Sequence, residues 1–221
     1  AADEVNRYSV QLYHAVIDEV NLENLRVLEI GSGRGGGAAY IKRYHKPAAM
    51  VGVDFSAKAV ALCNEFYHIQ GLSFVQGDAE DLPFDDNAFD AVINVESSHC
   101  YGSVGAFLSQ VRRVLRPGGY FLYADFRDQV KMEKWRQQIA DSGLIVINEA
   151  DITANVVAAL DADDADHVLV EFAIVPAIGG DAQILRVAAQ SAVVQVRPEP
   201  TLVDPTVTGT RAQVSFVGIE Q

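Results

Sequence analysis

The sequence predicts an α/β chain built on a doubly wound, mostly parallel sheet, followed by a β-rich C-terminal region of different character. Three observations predict it. An apolar run breaks into glycines and then turns helical at Val27–Ile41, VLEIGSGRGGGAAYI. Short apolar strands alternate with helical spacing as far as about residue 160. Acidic residues recur where those strands end, at Asp54, Asp78 and Asp125.

The elements follow in order. Val5, Tyr8, Val10, Leu12, Tyr13, Val16 and Ile17 give mostly helical spacing near the start, and Arg26–Ile30 is the first strand. A helix over Gly36–Tyr44 leads to Pro47, and Met50–Phe55 is the second strand. Ser56 caps a helix over Ala57–His68. Leu72–Val75 is the third strand and Phe89–Val95 the fourth. A helix over Val104–Leu115 is stopped by Arg116-Pro117-Gly118-Gly119, and Tyr120–Phe126 is the fifth strand. A helix over Lys131–Ala140 and a strand over Leu144–Asn148 complete the alternation.

Beyond Leu160 the chain has no Lys, only Phe172 and Phe216 as aromatics, and four of the seven prolines, so a division into 1–160 and 161–221 is expected. Val168–Val175, Ala192–Val196 and Ala212–Val217 read as short strands there. A domain boundary, an insertion or an altered reading frame would each produce this break.

Composition narrows the function. The 221 residues suffice for one such domain with a real core. A net charge of −13 argues against nucleic acid as a partner, because phosphate binding needs a basic surface. No apolar run nears the roughly 20 residues needed to span a bilayer, so no integral membrane segment is expected. No signal-peptide pattern is visible, but the chain opens at Ala1 without a Met, which leaves a missing N-terminus open. Cys63 and Cys100 show neither metal spacing nor a disulfide framework. A cytoplasmic location and no metal are the expectations.

The candidate site gathers at the carboxyl ends of the strands, where such sheets bind ligands. Gly31, Gly33 and Gly35 let backbone approach a ligand closely, with Glu29 just ahead of the turn. Asp54 is placed to accept both hydroxyls of a ribose, with Phe55 beside it. Asp78 is placed to accept from an adenine amino group and the Ala79 N–H to serve a ring nitrogen. Asn94–Tyr101, NVESSHCY, lines the same edge. Gly31, Gly33 and Gly36 also satisfy GxGxxG, which keeps a nicotinamide oxidoreductase open. The GDAEDLPF segment and the lack of an obvious hydride-site Tyr/Lys pair count against it. Tyr8, Tyr13 and Trp135 read first as packing residues, with lining of the cofactor or substrate cleft as the second reading of the two tyrosines, and Cys100 reads as inert.

Glu29–Gly35, Val53-Asp54, Gly77–Phe84 (GDAEDLPF) and Arg113–Gly119 (RVLRPGG) together resemble the class I methyltransferases that use S-adenosylmethionine. Val92–Phe126 more narrowly resembles the mycobacterial phthiotriol and phenolphthiotriol dimycocerosate methyltransferases and, more loosely, the sugar O-methyltransferases of antibiotic pathways. The resemblance covers roughly residues 8–160. It implies the Rossmann-like class I fold, S-adenosylmethionine as cofactor, and methyl transfer to a hydroxyl of a lipid or glycolipid. A natural-product sugar or other small-molecule acceptor, and a cofactor-binding protein with an incomplete acceptor site, are the alternatives. Glu29 then lies near the methionine amino group, and Asn94 joins the cofactor contacts. His99 is the first choice for the base, since imidazole titrates near neutral pH. Asp125 is the second, either orienting His99 or touching the acceptor hydroxyl. The resemblance carries catalytic roles onto both.

Overall fold

A computed structural model describes residues 7–166, 190–197 and 215–219. In chain order the elements are α1 (Arg7–Ile17), β1 (Arg26–Ile30), α2 (Gly36–Tyr44), β2 (Ala49–Asp54), α3 (Ala57–Phe66), β3 (Leu72–Gln76) and β4 (Phe89–Val95). They continue with α4 (Val104–Val114), β5 (Leu115–Arg127), α5 (Gln129–Ser142), β6 (Leu144–Asp151), α6 (Thr153–Asp166), β7 (Gln190–Arg197) and β8 (Ser215–Ile219).

The sheet runs β3-β2-β1-β4-β5-β7-β6-β8. Its first five strands are mutually parallel, and β7 lies antiparallel between β5 and β6. Strand order reverses direction between β1 and β4, which opens a crevice at their carboxyl ends. All seven residues of β4 are buried, as an apolar run covered on both faces requires. Period-2 alternation sends Leu28, Val92 and Phe121 into a core with α4 and α5. Their neighbours Val27, Ala91 and Leu122 go to the opposite core with α1 and α2.

Caps set the helix starts. Ser56 Oγ accepts from Ala59 N at 3.2 Å, as expected, and Ser103 Oγ accepts from Ala106 N at 3.2 Å. Asp128 Oδ1 accepts from Lys131 N at 2.9 Å, which starts α5 two residues before the expected position.

Three features differ from the sequence expectation. The Arg116–Gly119 stretch is a bulge inside β5 rather than a gap before it, because pairing with β4 jumps from Phe89↔Leu115 to Ala91↔Tyr120. Helix α6 was not expected, and it crosses residue 160. The expected strand at Ala192–Val196 falls within β7, and only the end of Ala212–Val217 lies in β8. Val168–Val175 lies outside the described residues.

Candidate active site

The glycine loop is built by backbone bonds to β2. Gly31 N and Ser32 N both donate to the Val53 carbonyl, at 2.8 and 3.0 Å. Gly31 has φ 74°, and a Cβ there would stand 2.4 Å from Ser97 Oγ. Only glycine allows the loop to lie so close to the Ser97–Tyr101 segment. Gly33 also has positive φ, 52°, but a Cβ there would meet nothing within 4 Å. Its outer face is open. Gly35 then caps α2 with φ 74°.

Asp54 fastens this loop. Its Oδ2 accepts from Gly33 N at 2.8 Å and its Oδ1 from Ser56 N at 2.9 Å. Each oxygen keeps a second lone pair for a ligand hydroxyl. Phe55, next along, is 75% exposed beside it. Gly77 N donates to the Asp54 carbonyl at 3.1 Å, tying the end of β3 to the end of β2. Asp78 is exposed there and accepts from Glu80 N at 2.9 Å, while Ala79 is half-buried. Glu80 Oε1 in turn accepts from Ser103 N at 2.9 Å.

Buried acceptors and donors cluster around the loop without partners. Among the described residues, four buried side-chain polar atoms lack a hydrogen bond, and three of them are Glu29 Oε2, Ser32 Oγ and Asn94 Oδ1. An orphaned buried polar group costs about 1–3 kcal/mol, so its recurrence at one strand edge marks a place where a polar ligand completes the structure. Glu29 is fully buried, and its Oε1 accepts from the Tyr13 hydroxyl at 2.5 Å. Burial pushes the Glu29 carboxyl up to about 7, against the pull of the Tyr13 hydroxyl and the Ala38 amide, and the Asp54 charge adds to the rise. Asn94 Nδ2 reaches Ile30 O at 2.9 Å, Ser97 Oγ at 2.7 Å and Tyr101 Oη at 3.0 Å. Its amide therefore ties β1 to the Ser97–Tyr101 segment while its oxygen stays open.

His99 and Asp125 meet on the same edge. His99 sits in a 3-10 turn, Ser98–Cys100, after β4. Its Nδ1 lies 2.6 Å from Asp125 Oδ1. Asp125 Oδ2 accepts from His99 N at 2.9 Å and Ser98 Oγ at 2.7 Å, and Oδ1 accepts from Phe126 N at 2.9 Å. The Asp125 side chain is 0% exposed and the His99 ring 27% exposed. Of its two expected roles, the geometry therefore favours orienting His99 over touching an acceptor. Burial works to raise the Asp125 carboxyl, but the His99 hydrogen bond, the Arg127 charge and the Ser98 hydroxyl outweigh it and hold it below its ordinary range. With Nδ1 committed to the carboxylate, Nε2 is the nitrogen left to accept a proton. The Phe126 ring lies 4.3 Å from the imidazole, centroid to centroid, and is 38% exposed.

Several residues around the site carried no role in the sequence. Tyr13, read first as packing and second as cleft-lining, is the Glu29 partner, a contact the sequence did not name. Ser98 and Arg127 flank the expected pair, and adjacency in ESSHCY and ADFR was their only signal. Glu96 adopts φ 47°, with its N–H donated to Ala124 O at 2.7 Å. Positive φ at a non-glycine is a strained choice that gathers at functional edges, and no composition signal announces it. Desolvation pushes the Glu96 carboxyl up, Asp125 adds to the push and His99 opposes it.

Among the described residues no cluster of three or more His, Cys, Asp or Glu is placed to hold a metal ion, and no helix is long and apolar enough to cross a membrane. An open cavity of roughly 370 Å³, bordered by Asp86, Asn87, Ser109, Arg112, Arg113 and Ser142, lies where the loop before β4 meets α4 and the end of α5, and it shares none of these residues.

Residues 28–123 match the methyltransferase domain family. Over 156 residues the chain is 49% identical to the fatty-acid O-methyltransferase of Mycolicibacterium smegmatis, a match covering 71% of this chain and 57% of that protein. It is 46% identical to the phthiotriol/phenolphthiotriol dimycocerosates methyltransferase of Mycobacterium tuberculosis, covering 71% of this chain and 58% of that protein. The chain thus spans less than two thirds of the length of these curated relatives. Among solved structures, the geranyl diphosphate C-methyltransferase of Streptomyces coelicolor aligns with TM-score 0.70 at 17% identity, over 87% of this chain and 81% of that one. That likeness establishes the fold.

Proposed function

Residues 28–123 form a methyltransferase domain with the class I fold, and from that premise we propose that the chain transfers a methyl group from S-adenosylmethionine to a hydroxyl of a lipid acceptor. The observation that carries the reading is the His99–Asp125 pair standing on the same strand edge as the orphaned atoms of the glycine loop. The cofactor supplies a methyl group already activated on a sulfonium, so the protein needs to position two reactants and provide a base.

The residues fit that cofactor. Glu29 Oε2 is a buried, unpartnered acceptor suited to an ammonium. Asp54 offers its remaining lone pairs to ribose hydroxyls, and Gly33 leaves open space above the loop. Gly31 and Gly35 shape the turn, Asp78 and Ala79 take the adenine edge, Phe55 shields it, and Asn94 Oδ1 completes the set. His99 Nε2 takes the acceptor proton, and Asp125 holds the ring and balances the imidazolium that forms. The lipid acceptor is supported by the names of the two curated relatives and by the exposed Phe126 ring beside His99. In this reading residues 1–160 bind the cofactor and 161–221 contribute to the acceptor side, with the enzyme meeting its lipid from the cytoplasm at the membrane periphery.

A radiolabelled methyl-transfer screen over fatty acids, long-chain alcohols and sugar hydroxyls tests the proposal. Label should appear in an apolar product. Transfer confined to sugars refutes the lipid acceptor, and tight S-adenosylhomocysteine binding with no transfer to any hydroxyl refutes the activity.

Glu29 adds a pH dependence. Below about pH 7 its carboxyl is protonated and the attraction to an ammonium is lost, so affinity falls as pH falls. Calorimetric titration with S-adenosylhomocysteine should weaken by up to about tenfold per unit from pH 7 to 6. Glu29→Gln should flatten the profile at the weaker level, and a slope that survives the substitution assigns the titration to another group.

A further inference from the structure

Asp125 faces two basic side chains, and only one belongs to the proposed proton-transfer pair. Oδ1 meets His99 Nδ1 at 2.6 Å, while Oδ2 meets Arg127 Nη1 at 3.2 Å. The Arg127 side chain is 6% exposed. Both terminal nitrogens of its guanidinium are engaged. Nη2 donates to Ser98 Oγ at 2.7 Å, and Nη1 donates to the Tyr123 hydroxyl. Its Cζ lies 4.6 Å over the Trp135 ring, which stacks on Tyr123 at 4.4 Å. Ser98 passes the contact on, accepting from Arg127 and donating to Asp125.

Burying a guanidinium costs several kcal/mol before compensation, so its place beside this carboxylate calls for a reason. A carboxylate within about 4–6 Å of an imidazole favours the imidazolium, commonly by 1–3 pKa units. An imidazolium has no free lone pair and cannot act as a base. Glu96, which follows β4, pushes in the same direction through its charge. The Tyr123 hydroxyl bonds Ser98 and the Tyr101 hydroxyl bonds Asn94 and Ser97, and burial keeps both protonated, Tyr101 up to about 12, so they add no charge. Arg127 is the positive charge that offsets these carboxylates from the buried side.

We propose that Arg127 is a positioning residue that shares the Asp125 carboxylate with His99, keeping the imidazole neutral and its Nε2 free to accept a proton. The catalytic consequence rests on the methyl-transfer reading, but the effect on His99 does not. If Arg127 only anchored β5 to Trp135, its loss would lower stability and leave the His99 titration where it was.

The test is an NMR titration of His99 in the substrate-free wild-type protein and in R127M, with kcat/KM profiles alongside. In R127M the His99 midpoint should rise by about one pH unit or more. The acid limb of kcat/KM should move up by the same amount, with kcat/KM about tenfold lower near pH 7 and recovering at higher pH. R127K, which keeps the charge and loses the fork, should return the midpoint most of the way. A folded R127M with an unchanged or lowered midpoint overturns the proposal. Should R127M not fold, R127Q replaces it under the same criterion, and R127K must then lie nearer to wild type than R127Q does. A wild-type protein inactive on every acceptor removes the methyl-transfer reading, while the His99 midpoint still decides the role of Arg127.

Discussion

Replacing His99 with Ala is expected to cut methyl transfer by about 10²–10⁴-fold, the usual worth of a positioned general base, while S-adenosylhomocysteine affinity stays within about twofold. The split follows from where the side chains stand. The cofactor contacts proposed for Glu29, Asp54 and Asn94 do not pass through the imidazole. Asp125 cannot take over as base, because its side chain is 0% exposed and both its oxygens are engaged. Removing the ring also leaves Asp125 Oδ1 with only the Phe126 amide among its present partners, so a modest loss of stability accompanies the loss of rate. His99→Gln, which offers an amide donor to Asp125 but no base, should recover stability without activity. Transfer at the wild-type rate in His99→Ala would reassign proton removal, with Glu96 as the next group to replace.

Much of this site was legible in the sequence because it lies where patterning is strongest. Phe89–Val95 reads as a strand from its continuous apolar run, and the structure gives it the same bounds, because a central parallel strand is buried on both faces. The glycines announce a turn whose φ values other residues resist, and Asp54 follows at the end of the neighbouring strand. What the sequence hid depends on contacts between distant segments. Tyr13 meets Glu29 across 16 positions, and Ser98 meets Tyr123 across 25. Nothing in the local pattern of α1 distinguishes a tyrosine that packs from one that donates into the site. The Arg116–Gly119 bulge was hidden for a related reason. Pro117 and Gly118 signal a break equally well at a helix end or inside a bulged strand, and pairing with β4 decides between them. Helix α6 ends in Asp161–Asp166, DADDAD, and so lacked the apolar periodicity that marks a buried face.

Asp125→Asn should produce the largest loss of stability of any single change considered, about 3–5 kcal/mol at neutral pH, the range found when one partner of a buried ion pair is removed. The amide preserves shape and can still accept from one side, so the cost is electrostatic. It leaves the Arg127 guanidinium buried against Ser98, Tyr123 and Trp135 with no carboxylate on it. The sign of its pH dependence follows from the direction of the shift. The folded-state carboxyl is held below its ordinary range, so its stabilisation is fully present above the unfolded-state carboxylate pKa, about 4, and is lost as pH falls through the folded-state value. Urea unfolding of wild type and variant should therefore differ clearly above about pH 5 and converge as pH falls below it. Turnover should fall by about 10²–10⁴-fold as well, because an asparagine neither fixes the Nδ1–H form of His99 nor balances the imidazolium formed during proton transfer. If the stability difference instead grew toward low pH, the carboxyl would be titrating above its ordinary range, and the arrangement of Arg127, Asp125 and His99 described above would be wrong.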